Sequence, residues 1–113
     1  MPRSQRRHAA LFHPEPGEFD VLDILHALSD PTRMTIVRTL RSSSELACGT
    51  FPVDVAASTL THHFRVLRDA GVIRQRQDGT RRWTALRKDD LEGRFPGLLD
   101  AIMTAYEVQS DRP

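Results

Sequence analysis

Polar side chains that can hydrogen-bond to bases and phosphates share one face of a predicted helix near the middle of the chain. With 3.6 residues per turn, Leu60, Phe64, Leu67 and Gly71 fall on one stripe, and the opposite side carries hydroxyl, imidazole and guanidinium groups. Such groups can read base edges from a helix in a DNA major groove, although any solvated helix face has a similar composition. The candidate contacts on this helix are Ser58, Thr59, Thr61, His62 and Arg65.

A predicted β-hairpin follows the helix directly. Gly71 stands where helices commonly end, and Asp78-Gly79 is a strong turn signal inside a β-rich run that continues to Leu86. Arginines flank this turn at a density typical of a wing that contacts phosphates, and we expect Trp83 to anchor the hairpin to the core. The candidate DNA contacts in the hairpin are Arg76, Arg81 and Arg82.

Positive charge is concentrated in this helix and hairpin. Residues 58–88 contain eight basic and two acidic residues, a formal charge of +6, whereas the whole chain carries +1. The remainder of the chain therefore sums to −5. This segregation predicts a local surface for a polyanion, which the net charge alone understates.

Length and composition indicate one small globular domain. A chain of 113 residues can build a single modest core. No apolar run approaches the roughly 18 residues of a membrane-spanning helix, and the apolar stretch after the first arginines is too short for a signal peptide. Because a single cysteine, Cys48, fits a reducing compartment, we expect a cytoplasmic protein without a membrane partner.

The flanking elements follow from apolar spacing and capping residues. Residues 1–17 combine arginine and proline with little hydrophobicity, and we interpret them as a flexible basic arm that is either solvated or placed in a minor groove. The folded domain is expected over residues 18–109, with a tail at 110–113. Inside it, Asp30-Pro31 begins the second helix, and a brief helix with an irregular turn is expected near residues 45–48.

Both terminal helices of the domain have wider apolar faces than one small core requires. Excess apolar surface of this kind is typical of an interface between two copies of a chain, and packing within one chain is the alternative. We therefore predict a homodimer whose interface contains Val21, Leu25, Leu98, Leu99, Ile102 and Tyr106.

The predicted order of elements, α-α-α-α-β-β-α, is that of a winged helix-turn-helix, a mainly α fold with a β-hairpin. The stretches ALSDPTRMTIVRTL at 27–40 and STLTHHFRVLRDAGVI at 58–73 resemble the ArsR/SmtB family of bacterial repressors. The resemblance implies a homodimer that represses transcription by binding double-stranded DNA at a palindromic operator. His63 lies beside the apolar stripe and is expected to be buried and hydrogen-bonded.

Members of this family often release DNA when a metal or metalloid binds, and the sequence departs from both usual sites. Ala47 and Gly49 stand where the family's two-cysteine motif has its thiolates, and Cys48 lies between them. The last helix offers Asp100 and Glu107 and no histidine. The remaining candidate ligands for a regulatory nickel or zinc ion are His8, His13 and His26, with solvated histidines as the alternative.

The sequence leaves two other classes of function open. A winged helix can serve as a protein-interaction module without operator binding, since function is grafted on folds, and its partner would then be acidic. A small metal-buffering protein is the third hypothesis. An enzyme is the least expected class, because the sequence shows neither a nucleophile with an adjacent base nor a phosphate-cradling glycine loop.

Overall fold

The computed structural model describes residues 11–110, and its helices and strands follow the predicted order except at residues 46–50 and 88–94. The helices are α1 (Val21–Leu28), α2 (Pro31–Arg41), α3 (Ala57–Asp69), α4 (Lys88–Arg94) and α5 (Leu98–Ser110). The strands are β1 (Leu46–Ala47), β2 (Ile73–Asp78) and β3 (Arg81–Leu86), and short 3₁₀ helices span Pro16–Glu18 and Cys48–Thr50. The predicted winged helix-turn-helix, mainly α with a β-hairpin, is therefore confirmed.

The segment before α3 differs from the predicted brief helix. Residues 46–47 form β1, which pairs antiparallel with β3 through Leu46 opposite Thr84 and Ala47 opposite Trp83. A single 3₁₀ turn follows, and Gly49 and Pro52 limit its extension. The edge of β3, which is distant in the sequence, thus supplies residues 46–47 with the backbone hydrogen-bond partners that a local helix would otherwise provide. The short helix α4, after the hairpin, is an additional element.

Side-chain caps begin the first two helices. The Asp20 carboxylate accepts hydrogen bonds from the backbone N–H groups of Leu22 and Asp23, at 2.8 and 3.2 Å. Asp30 caps α2 in the same way, accepting from the Arg33 N–H at 3.0 Å, and Pro31 occupies the first helical position. These caps fix where each helix starts and so set how α1 and α2 support α3.

The core lies between α1, α2, α3, the sheet and α5. The inner stripe predicted for α3 is confirmed, since Phe64, Leu67 and Gly71 are buried and Leu60 packs partly against the core. The large apolar side chains that are almost fully buried are contributed by five elements and the turn before β2: Ile24, Ile36, Val37, Leu40, Leu67, Val72, Ile73 and Met103. Burial of the inner stripe leaves the opposite face of α3 at the surface.

Gly71 makes the close junction between α3 and β2. Its φ is +89°, a conformation that residues with a Cβ rarely adopt, and an added Cβ would overlap the ring of Phe19. The Val72 N–H donates to the Leu67 carbonyl at 2.9 Å across the same turn. The wing is therefore set against the end of α3 by a turn that only glycine fits.

Part of the predicted N-terminal arm lies on the wing. The His13 Nε2 atom accepts a hydrogen bond from the Gln75 backbone N–H at 2.9 Å, and Pro14 is buried, with its carbonyl accepting from Arg87 Nη1 at 2.9 Å. Residues 1–10 of the arm and 111–113 of the tail lie outside the described residues. The domain boundaries at 17, 18 and 109 stay predictions.

None of the helices described between residues 11 and 110 combines the length and apolar character needed to cross a bilayer.

Candidate nucleic-acid interface

The outer face of α3 presents the five predicted contact residues at the surface. All five side chains are exposed: Ser58, Thr59, Thr61, His62 and Arg65. The Thr61 hydroxyl donates to the Ala57 carbonyl at 3.0 Å, which holds this side chain along the helix. The arrangement places short polar groups on the first turns of α3 and a guanidinium one turn later, which suits a helix in a major groove.

His63 has the opposite environment from its neighbour His62. It is 9% exposed and hydrogen-bonds through Nδ1 to the guanidinium of Arg33, which is itself buried. The expectation of a buried, hydrogen-bonded histidine is confirmed. The contact joins the buried face of α3 to the N-terminal end of α2. It therefore fixes the orientation in which α3 presents its outer face.

The hairpin of β2 and β3 forms the wing and turns through Gly79 and Thr80. Asp78 pairs with Arg81 at its end, and Gly79 has a φ of +63°. Because side chains alternate between the two faces of a strand, the register places Arg82 on one face and Arg81 on the other. The three predicted wing arginines are therefore not one cluster.

Arg76 and Arg81 share the wing face that carries Trp83. Their guanidinium carbons lie 5.7 and 6.0 Å from the centre of the Trp83 ring, within cation–π range. Trp83 is half-buried and is not among the described side chains that pack on the core. The expected anchoring of the hairpin by Trp83 is replaced by packing of arginine on its ring.

Arg76 is already engaged by carboxylates. Its Nε and Nη2 atoms donate to both oxygens of Glu45 at 2.8 and 2.7 Å, and Asp78 lies 3.6 Å from Nη1. The hydrogen bond from Arg76 lowers the pKa of Glu45, and the same bond raises the pKa of Arg76. Glu45 therefore competes with a phosphate for the guanidinium of Arg76, whereas Arg81 forms no ion pair with a carboxylate of residues 11–110.

The N-terminal half of α3 and one face of the wing border a common cleft of about 390 Å³. Thr61 lines it from α3, and Gln77, Thr80 and Arg82 line it from the wing. Gln77 and Thr80 are candidate contact residues that the sequence analysis missed. The two-residue alternation that puts Gln77 on the same face as Arg82 is the signal that could have found Gln77.

The two candidate metal ligands that lie within the described residues, His13 and His26, belong to no cluster of three or more potential ligands there. His13 already uses Nε2 to accept from Gln75, and burial together with the cations Arg87, Arg68 and Arg74 lowers its pKa, partly offset by a backbone hydrogen bond with Leu11. His26 is exposed on α1, and His8 lies outside the described residues. Within residues 11–110, no three side chains of His, Cys, Asp or Glu form a cluster that could hold a metal ion.

The residues predicted for a dimer interface divide into two groups. Val21 and Leu25 on α1 are 37% and 42% exposed. The four on α5 are partly buried against the core of their own chain: Leu98, Leu99, Ile102 and Tyr106. On the same two helices, two large apolar side chains outside the predicted set are more exposed, Leu22 at 70% and Val108 at 66%.

Comparisons with known proteins define the class of this fold and surface. A helix-turn-helix domain family matches residues 28–76, which run from the end of α1 into β2. The chain is 37% identical over 82 residues to the uncharacterized HTH-type transcriptional regulator YceK of Bacillus subtilis (strain 168), covering 70% of this chain and 82% of YceK.

Two solved structures agree in fold. One ArsR family transcriptional regulator superposes with a TM-score of 0.61 at 24% identity, covering 90% of this chain and 100% of that one. A second structure, of a possible transcriptional regulator for arsenical resistance, has a TM-score of 0.56 at 28% identity and covers 80% and 97%. The molecule is a helix-turn-helix transcriptional regulator, a class of DNA-binding proteins. The chain belongs to the same family of HTH-type transcriptional regulators as YceK, and its fold matches that of an ArsR family regulator, the family that its sequence motifs resemble.

Proposed function

We propose that this protein is a homodimeric repressor that places α3 of each subunit in a major groove of a palindromic operator. The observation that carries this proposal is the shared cleft, since Thr61 of α3 and Arg82 of the wing line the same opening. A DNA backbone seated there would have the polar face of α3 on one side and the wing on the other.

The charge distribution supports the same orientation. Residues 58–88, which contain α3 and the wing, carry a formal charge of +6 in a chain of net charge +1. Arg65 and Arg81 are exposed there, and Arg82 is half-exposed. If six to ten phosphates are contacted, operator affinity falls by about a thousandfold or more between 50 and 200 mM salt.

Dimerisation is proposed through the exposed side chains of the two terminal helices. Leu22 and Leu25 on α1 leave large apolar area uncovered, as does Val108 on α5. Covering these side chains with a second copy removes that area from water at roughly 25 cal/mol per Å². A two-fold dimer then presents two copies of α3, so we expect inverted half-sites about 10 base pairs apart, centre to centre.

Selection of bound duplexes from a randomised pool tests this function with the purified full-length chain. The expected product is an inverted repeat with fixed half-site spacing. Arg65→Ala should abolish preference for that repeat, whereas Arg94→Ala, which removes an equal charge from an exposed position on α4, should leave it intact. Recovery of no preferred sequence at low salt would overturn operator binding and favour the protein-interaction module.

The proposed function does not include modulation of operator binding by a transition metal. Of the three candidate histidines, His13 is committed to the Gln75 N–H, and no cluster of ligands is present within residues 11–110. Titration of the operator complex with nickel or zinc decides the matter, because a regulatory ion has to change operator affinity, typically 5- to 150-fold.

A further inference from the structure

The cleft between α3 and the wing has an apolar floor beneath its polar rim. Leu60, Phe64 and the half-buried thiol of Cys48 line the floor, and Gln75 and Gln77 line one wall. Its volume of about 390 Å³ lies in the range of pockets that hold small organic ligands, about 300 to 1,000 Å³. A phosphodiester backbone makes no use of such a floor, so the contacts proposed with DNA do not account for it.

The charge around this cleft is of one sign. Arg82 is the ionised side chain among its lining residues, and no carboxylate lines it within the described part of the chain. The Nε atom of Arg82 donates to the Gln77 amide oxygen at 3.1 Å, which holds the guanidinium at the mouth. An anionic group of a ligand can therefore pair with Arg82 at the mouth of the cleft, whereas a cationic group has no carboxylate to pair with.

A second guanidinium stands behind the wall. Gln75 is 2% exposed, and its amide oxygen accepts from Arg68 Nη1 at 2.7 Å while its amide nitrogen donates to Thr84 at 3.0 Å. The Nε atom of Arg68 is buried without a hydrogen-bond partner within residues 11–110. Burial lowers the pKa of Arg68, and neighbouring cations lower it further while Asp69 partly offsets them. The positive charge behind Gln75 is therefore incompletely compensated.

From this geometry we propose that the cleft binds a small aromatic carboxylate and that its occupation opposes DNA binding. The ring would pack on Leu60 and Phe64, and the carboxylate would pair with Arg82 at the mouth. Because Thr61 and Arg82 also line the opening assigned to DNA, ligand and operator compete for the same groups. The regulatory half of this inference rests on the proposed function, and the binding half does not.

Cys48 offers a direct reporter of occupancy, because it lines the cleft and is the single cysteine of the chain. The probe is 2-naphthoate, and the matched neutral control is 2-naphthalenemethanol. At saturating 2-naphthoate, alkylation of Cys48 by N-ethylmaleimide should slow about fivefold or more, with a dissociation constant on the order of 0.1 to 1 mM for a ligand of this size. The alcohol should bind about tenfold more weakly, because it lacks the charge that Arg82 pairs.

Arg82→Gln provides the matched variant, since this half-exposed side chain can be changed without opening the core. It should reduce protection by 2-naphthoate to the level given by the alcohol. Equal protection by acid and alcohol in the wild type, or no protection by either, would overturn the binding site.

Operator affinity measured with 2-naphthoate present tests the regulatory half separately. We expect the operator dissociation constant to rise about tenfold, and linkage requires the operator to weaken 2-naphthoate equally. Protection of Cys48 without any change in operator affinity would overturn competition. Should the chain bind no operator at all, the proposed function fails, and the alkylation rates still decide the pocket.

Discussion

Arg33 Nη1 lies 3.0 Å from His63 Nδ1 and joins the first turn of α2 to the middle of α3. A guanidinium only donates, so His63 Nδ1 is the acceptor, and its ring proton lies on Nε2. Arg33 Nε also donates to the Ala27 carbonyl at 2.7 Å, and Asp30 lies 3.9 Å from His63 Nδ1. Three helices therefore meet at one guanidinium, and α3 cannot roll without breaking this contact.

Adjacent histidines should have separable effects. His63→Ala leaves the buried Arg33 without one acceptor and is expected to lower the free energy of unfolding by about 1 to 3 kcal/mol. His62→Ala should change stability by less than about 0.5 kcal/mol while weakening operator binding about tenfold, because His62 is exposed on the outer face. Urea unfolding and operator titration of both variants check this, and equal destabilisation by the two would contradict it.

Replacement of Gly71 should be far more costly than replacement of the turn glycine Gly79. Both have positive φ, which costs roughly 1 to 2 kcal/mol for alanine, but only at Gly71 does an added Cβ meet a ring, that of Phe19. We expect Gly71→Ala to lower the free energy of unfolding by more than about 2 kcal/mol and Gly79→Ala by about 1 kcal/mol. The difference between their urea midpoints measures the Phe19 contact, and matching midpoints would argue against it.

The local signals in α3 and the hairpin were strong enough to predict both elements. The helical period of 3.6 residues predicted the buried stripe from Leu60 to Gly71. Asp78-Gly79 predicted the turn to within one residue, because the turn is formed by Gly79 and Thr80. The pairing of Leu46–Ala47 with β3 has no local signal, because its partners are 36 or more residues away in the sequence. The ion pair between Arg76 and Glu45, which are 31 residues apart, has no local signal either. The sequence therefore predicts Arg76 as a DNA contact without revealing that Glu45 already binds it.

Release of Arg76 from Glu45 should strengthen DNA binding. Glu45→Gln removes the charge that competes with phosphate, so we expect affinity to rise a few-fold at low salt and the salt slope to steepen by about 0.9. Stability should change by less than about 1 kcal/mol, because both side chains are partly exposed. Glu92→Gln makes the same change of charge at an exposed position on α4 and serves as the control, with salt titrations on one operator duplex as the measurement. A slope that stays constant in Glu45→Gln would mean that Arg76 does not contact phosphate.

A charge placed on α1 should dissociate the proposed dimer. Leu22 is 70% exposed in the single chain, so Leu22→Glu should leave the fold intact and shift sedimentation equilibrium toward monomer at micromolar concentration. Phe12→Glu puts the same charge at a similarly exposed apolar side chain outside α1 and α5, and this variant should remain dimeric. Dissociation by both variants, or by neither, would remove α1 from the interface.

Docking of the segment around His13 should depend on pH. The pKa of His13 is lowered from 6.5 by burial and nearby arginines, so the unfolded chain takes up this proton first as pH falls. The stabilisation is complete above pH 6.5 and is lost as pH falls through the lower pKa of the folded protein. Glutamine at this position can accept from Gln75 N–H without titrating, so His13→Gln should lose less stability than wild type between pH 7.5 and 5. Parallel urea curves at both values check the difference, and an equal loss in the two proteins would contradict it.

The two-residue strand β1 helps to fix the distance between α3 and the wing. Its pairing with β3 ties the chain just ahead of the 3₁₀ turn to the wing, while Gly71 fixes the wing to the far end of α3. Because the wing is tied at both places, we expect α3 and the wing to keep a fixed separation when the protein binds DNA. Base steps that set the groove width should then influence affinity even at positions that no side chain contacts. Operators with the same core sequence should therefore be bound with different affinities when their flanking sequences differ in stiffness.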